Sequence, residues 1–313
     1  MARAFVFPGQ GSQSVGMGKE LAAALPVARH VFEEVDEALS QHLSRLMFEG
    51  PEDELTLTEN AQPALMAMSM AVLRVLEQDG GIDLAGYCRF VAGHSLGEYS
   101  ALCAAGTLPL GLTARLLKRR GQAMQQAVPV GQGAMAALLG LDFDAARQVA
   151  ADAAQGEVCD TANDNAPGQV VVSGDRSAVE RAVELARERG ARRPMLLPVS
   201  APFHCALMQP AADVMEQALN DAPLDPPVVP LIANVTAAPV TEAEEVRRLL
   251  VEQVTAMVRW RESVLFMRDQ DVDTLVELGA GRVLTTMLKR IDRDMRGLAV
   301  GAPDEIESYL KEI

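Results

Sequence analysis

Cysteine is scarce in this chain: four residues in 313, Cys88, Cys103, Cys159 and Cys205. None forms a Cys-x-x-Cys pair or stands near a histidine at zinc spacing, so neither a disulfide frame nor a metal site is expected. Cys205 adjoins His204, but neighbours on an extended chain point to opposite sides, and it reads as a small buried apolar group. Long apolar runs are also missing. The longest, Ala64 to Leu73, is half of the roughly 20 residues that a spanning helix needs. The Phe5-Val6-Phe7 run stops at Pro8-Gly9, too short for a signal peptide and without a cleavage signature, so a cytoplasmic protein without membrane contact is expected. Basic residues are outnumbered, 28 Lys and Arg against 43 Asp and Glu, for a net charge of −15. A field of that sign repels phosphate backbones and anionic lipid, which argues against nucleic-acid or membrane-surface partners.

What is present is an ordinary globular composition, 49% hydrophobic and 23% charged. It is long enough for one large core or a core with an inserted domain. Arg3 to Phe7 reads as a buried strand, and Gly18 to Ser40 has helical spacing broken at Pro26. Ala64 to Gln78 is apolar almost all round, the pattern of a helix buried on several sides, with its methionines as core filler. A strand at Arg89 to Ala92, the turn Gly93-His94-Ser95-Leu96-Gly97 and a helix through Ala105 follow in that order. Gly111 to Val128 is a further helix.

From Gly133 to Ser200 the pattern is βαββαβ. Strands are expected at Ala134 to Leu141, Glu157 to Ala162, Gln169 to Ser173 and Pro194 to Val199. Helices are expected at Phe143 to Ala154 and Ser177 to Arg189, with a turn over Asn163 to Gly168. This is the ferredoxin-like pattern, suited to insertion in a larger core. Beyond it come helix Ala206 to Asn220, strand Leu231 to Val235, helices around Glu242 to Met257 and Arg261 to Asp269, strand Thr274 to Leu278 and helix Arg282 to Ile291. The fold expected is α/β: a large α/β-hydrolase-like core with a mainly parallel sheet in 1–129 and 199–313, and a ferredoxin-like small subdomain in 130–198.

Gly93-His94-Ser95-Leu96-Gly97 joins a strand to a helix, the setting in which Gly-x-Ser-x-Gly is a nucleophile elbow that lifts the serine hydroxyl out of the sheet. A serine needs a base, and only four histidines exist. His30 and His42 lie in a polar-faced helical region and its continuation. His94 is too close along the backbone to reach back to the Ser95 hydroxyl. His204, in Ser200-Ala201-Pro202-Phe203-His204 on a strand-to-helix loop, is the favoured base. The loop Gly9-Gln10-Gly11-Ser12-Gln13 lacks the third glycine of a dinucleotide loop, since position 14 is Ser14. It suits a backbone N–H, from Gln10, that stabilises an oxyanion opposite the N–H of Leu96. Arg120 belongs to Lys118-Arg119-Arg120, which on residues alone is as much a solvated helix face as a site.

Taken with Arg120-Gly121, Asn163 to Gln169, Pro202-Phe203-His204, Asn234-Val235 and Gln253, the Phe7 to Gln13 and Gly93 to Ser100 motifs resemble the malonyl-CoA:acyl carrier protein transacylases of bacterial fatty-acid synthesis, over nearly the whole chain. The resemblance implies a ping-pong transfer through a malonyl ester on Ser95, with His204 as general acid and base and the Gln10 and Leu96 amides as oxyanion hole. It implies a main-chain carbonyl near Gln253 that orients His204 in place of a third carboxylate, and Gln253 among the substrate-site residues. Arg120 would hold the malonyl carboxylate as a bidentate fork. Phe203 would favour malonyl over bulkier branched units. The implied partners are malonyl-CoA, as substrate, and an acyl carrier protein met by a monomer, with no metal or redox cofactor. Arg187, Arg189, Arg192, Arg193, Lys289, Arg290 and Arg293 are candidates for the basic patch that an acidic carrier needs. An esterase or thioesterase on the same elbow, a carrier-docking module without activity, and the malonyltransferases of malonate decarboxylation or polyketide synthesis remain alternatives.

Overall fold

The computed structural model describes residues 2–313. Its ten strands are β1 (Ala2–Phe7), β2 (Cys88–Gly93), β3 (Gly133–Leu139), β4 (Cys159–Ala166), β5 (Gln169–Asp175), β6 (Arg193–Leu196), β7 (Leu231–Ile232), β8 (Pro239–Val240), β9 (Val272–Leu278) and β10 (Arg296–Val300). Six make one sheet in the order β10-β9-β1-β2-β7-β8, parallel except for the two-residue edge strand β8. Side chains on β1 alternate between two cores. Phe5 and Phe7 enter the large cluster on one face, and Ala4 and Val6 enter the cluster around Trp260 on the other. Burial on both faces is why these strands read as continuous apolar runs.

The remaining strands form an antiparallel sheet in the order β4-β5-β3-β6. With helices Phe143–Ala154 and Arg176–Glu188 on it, this is the ferredoxin-like arrangement. Its own core is built of small residues, among them Ala136, Ala146, Val149, Val172, Val179 and Ala182.

Several local expectations change. Strand β4 runs on to Ala166, so the turn expected over Asn163 to Gly168 shrinks to Pro167 and Gly168. The Asn-Asp-Asn run has turn composition, but the Asp164 and Asn165 side chains are engaged across the molecule, with Arg261 and His94, instead of with their own backbone. Strand β6 ends at Leu196, short of Val199. The buried helix begins at Thr58, ahead of Pro63, and ends at Gly80. Strand β10 and the C-terminal helix Pro303–Glu312 were not anticipated. Pro26 does divide its region, into helices Lys19–Ala24 and Pro26–Leu39. No helix among the described residues is long and apolar enough to cross a membrane, and no cluster of three His, Cys, Asp or Glu suited to a metal is found among them.

Candidate active site

The turn between β2 and helix Leu96–Ala104 holds Ser95 at φ 54°, ψ −110°. A side chain there is strained by on the order of 1–3 kcal/mol, and persists only where its surroundings over-determine it. The flanking glycines permit so sharp a turn. A Cβ on Gly93 would lie 1.9 Å from the Gly97 carbonyl group, and one on Gly97 would lie 2.2 Å from the Phe7 oxygen. Asn234, just after β7, clamps the turn: its Oδ1 accepts the Ser95 N–H at 2.7 Å, and its Nδ2 donates to the Gly93 oxygen at 2.7 Å.

Across the cavity the loop after β6 brings His204 to Ser95, with Oγ and Nε2 2.8 Å apart. His204 also has a positive φ, 59°. Its Nδ1 faces two carbonyls, Gln253 at 2.9 Å and Ala256 at 3.2 Å, so Nδ1 carries the proton and Nε2 offers its lone pair to the serine hydroxyl. Burial pushes the His204 pKa down to about 3, aided by the Arg120 guanidinium and opposed by the Gln253 carbonyl. The resting imidazole is therefore neutral, the form a base requires.

Arg120 is 1% exposed. Gly121 allows its helix, Leu110–Ala127, to touch the backbone of Thr58–Gly80, since a Cβ there would sit 2.5 Å from the Glu59 Cα. That contact sets Arg120 beside Gln62. Nη1 donates to Gln62 Oε1 at 2.8 Å, and Nη2 donates to Gln253 Oε1 at 2.8 Å and Ser95 Oγ at 3.2 Å. All three acceptors are uncharged, and the buried Nε–H has none. The guanidinium stacks 5.7 Å from the Tyr99 ring centroid. Burial lowers its pKa. The Lys118-Arg119-Arg120 run thus splits: Lys118 pairs with Glu59 at 3.0 Å, Arg119 is exposed, and Arg120 points inward.

Ser95, His204, Arg120, Leu96, Gln10 and Phe203 line one cavity of about 540 Å³ between the two sheets. Among the described residues the backbone N–H groups of Gln10 and Leu96 meet no acceptor, so both are free to face an oxyanion. Gln253 is fully buried behind Arg120 and His204, bonds to both, and is absent from the cavity wall. Four residues to which sequence reasoning gave no role complete the site. Gln62 and Asn234 hold Arg120 and the turn. Asn165 binds His94, with Oδ1 2.8 Å from Nε2, and ties the small sheet to the elbow. Glu98, also 1% exposed, accepts from Gln253 Nε2 at 2.8 Å and the Asn234 N–H at 3.1 Å. Burial raises its pKa to about 7 against those two donors and Arg120. So a buried carboxylate does stand in the Gly93 to Ser100 motif, one amide removed from His204. His30 and His42 are exposed.

The cavity brings together a nucleophile with its base, two free N–H donors and a buried cation. Residues 4–301 match the model of the acyl transferase domain. The chain is 46% identical to the malonyl CoA-acyl carrier protein transacylase of Bacillus subtilis (strain 168) over 311 residues, covering 99% of this chain and 96% of that one. The crystal structure of acyl-carrier-protein-S-malonyltransferase from Bartonella henselae superposes with a TM-score of 0.97 at 56% identity, covering 100% and 99% of the two chains. A malonyl-transacylase solved in complex with its type II PKS acyl-carrier protein matches with a TM-score of 0.97 at 42% identity, over the full length of both chains.

Proposed function

Because the chain belongs to the acyl transferase family, alongside the malonyl CoA-acyl carrier protein transacylases, we propose that it moves a malonyl group from malonyl-CoA to the thiol of an acyl carrier protein through an ester on Ser95. In the first half-reaction Ser95 Oγ attacks the thioester carbonyl while its proton passes to His204 Nε2, 2.8 Å away. The new oxyanion faces the N–H groups of Gln10 and Leu96. Collapse of the adduct breaks the C–S bond, and the His204 proton leaves with the coenzyme A sulfur. In the second half-reaction the carrier thiol gives its proton to His204 and attacks the ester. Ser95 departs and recovers the proton. The Gln253 and Ala256 carbonyls stabilise the transient imidazolium, which takes the place of a carboxylate in a triad. This chemistry calls for no metal or redox cofactor.

One observation carries the choice of acyl group: a buried guanidinium, held only by uncharged acceptors, lies 3.2 Å from the nucleophile. A malonyl carboxylate supplies the missing anion. An acetyl group leaves Arg120 unpaired. Phe203, next to His204 on the cavity wall, favours malonyl over bulkier branched units. The product serves as extender unit for fatty-acid synthesis.

The partner is an acidic carrier, so its contact patch is basic. Arg187 and Arg189 are engaged by Glu184 and Asp152. Arg192, Arg193, Lys289, Arg290 and Arg293 are exposed and without an ion pair among the described residues, which favours them as the patch. The test is to load the protein with malonyl-CoA and follow malonyl to carrier or to water. Transfer to the carrier, with slow hydrolysis, is expected; release as malonate at the same rate with or without carrier would make the protein a thioesterase.

A further inference from the structure

Glu98 has no part in the chemistry above, yet it is buried at 1% exposure on the first turn of the helix that follows the nucleophile. As the third residue of that helix it stands where a capping-box glutamate returns to the N-H of the residue that opens the helix. That N–H belongs to Ser95 and is already taken by Asn234 Oδ1. The Glu98 carboxylate turns outward from its helix instead, and Oε2 accepts from Gln253 Nε2 and the Asn234 N–H.

The consequence falls on Gln253. A glutamine amide has a donor end and an acceptor end, and Glu98 Oε2, which accepts from two N–H groups whether or not the other carboxyl oxygen carries a proton, takes only the donor end. With Nε2 drawn to Glu98 and the Ser95 oxygen at 3.0 Å, Oε1 is left facing Arg120 Nη2 at 2.8 Å. The opposite flip sets NH2 against guanidinium and oxygen against the Glu98 and Ser95 oxygens, repulsive contacts among buried groups. Gln253 thereby aims Arg120 with its side chain while its main-chain oxygen aims His204.

We propose that Glu98 is a positioning residue for acyl selection: by fixing the Gln253 amide it holds the Arg120 guanidinium toward the carboxylate of the incoming acyl group. The inference rests on the reading of Arg120 as the carboxylate holder. Loss of the Glu98 acceptor leaves the Ser95 carbonyl alone to hold the amide, and Arg120 is aimed less firmly. The damage then falls on malonyl, which uses Arg120, and spares acetyl, which does not.

The experiment measures kcat and KM for Ser95 loading from malonyl-CoA and from acetyl-CoA in wild type, Arg120→Ala, Glu98→Met, Glu98→Asp and Glu98→Gln, with a thermal melt of each. Removing one buried hydrogen-bond acceptor should lower malonyl kcat/KM roughly tenfold in Glu98→Met, mainly through KM, and acetyl kcat/KM by less than about threefold. Glu98→Asp withdraws the carboxylate from Gln253 and should show the same selective loss, which keeps the test open if Glu98→Met fails to fold. Glu98→Gln retains an acceptor oxygen and should restore malonyl loading to within about threefold of wild type. Equal losses with both donors in Glu98→Asp, whatever the melting temperature, would overturn the inference. So would a wild-type malonyl preference that Arg120→Ala abolishes and both Glu98→Met and Glu98→Asp keep. A wild type with no malonyl preference, unchanged in Arg120→Ala, would overturn instead the reading of Arg120 on which it stands.

Discussion

The two sheets of this protein are built by opposite rules. In the small antiparallel sheet nearly every residue obeys its local preference: apolar positions face its own core, Asp142 caps the helix Phe143–Ala154 through the Ala145 N–H at 2.8 Å, and a two-residue turn closes the hairpin. At the end of the large sheet the rules are broken together. Ser95 and His204 hold positive φ, Arg120 is buried among neutral partners, and Glu98 is buried with a raised pKa. Strained backbone at the nucleophile and its base, combined with buried charge in the same place, marks where chemistry outweighs stability. The small sheet adds a wall to the cavity. Bulges in β4 beside Asn163 and Asn165 turn those side chains inward, while Asp164, between them, meets Arg261 at 2.7 Å.

Substitutions that separate chemistry from stability break or sharpen this contrast. The largest effect is expected from Ser95→Ala, which should reduce acyl transfer by roughly 10⁵- to 10⁶-fold while leaving the melt close to wild type, because alanine keeps the Cβ and the same backbone conformation and loses only the hydroxyl. Steady-state transfer assays and calorimetry check both halves. Gly93→Ala should do the reverse, with a destabilisation above about 4 kcal/mol in urea titration, because its Cβ meets backbone that has no room to move. In the small sheet, Leu138→Ala should cost about 2–5 kcal/mol of stability and leave kcat close to wild type. Arg120→Ala should lower malonyl-CoA kcat/KM by a factor equivalent to about 2–5 kcal/mol, with little change for acetyl-CoA. Loss of both donors alike in that variant would deny Arg120 its selective role.

The smallest effect concerns pH. His204 has an ordinary pKa of 6.5 and a folded value of about 3. Between them the unfolded chain holds a proton that the folded chain lacks, so this residue favours folding above pH 6.5 and loses that contribution as pH falls toward 3. Glu98 runs the other way, from 4.5 unfolded to about 7 folded: the folded chain holds the extra proton, and the contribution declines as pH rises through that window. Urea titrations at pH 5 and pH 7 should show His204→Gln gaining on wild type at the lower pH, and Glu98→Gln gaining at the higher.

How much of this was legible from residues alone differs between the two regions for a physical reason. The βαββαβ order could be read because small-sheet residues follow period and propensity. The elbow could be read because glycines at fixed spacing are a local requirement of the turn. His204 emerged by elimination among four histidines. What escaped depends on contacts distant in sequence: Gln62 at Arg120, Asn234 at Ser95, Glu98 at Gln253, Asn165 at His94. Their residue types are common on surfaces and in turns, and no local pattern separates them from it. Asn163 to Asn165 misled for that reason, since turn composition was serving a bulged strand. Arg120 was ambiguous within its charge run until the close approach of helix Leu110–Ala127 to helix Thr58–Gly80 determined where it points.

The most direct measurement is mass analysis of peptides from protein mixed with malonyl-CoA, before and after addition of thiol-bearing carrier protein. One malonyl group on the peptide that contains Ser95, discharged on adding carrier and absent from Ser95→Ala, is the expected result. A malonyl adduct that persists in Ser95→Ala, or transfer to carrier with no adduct at any time point, would contradict it.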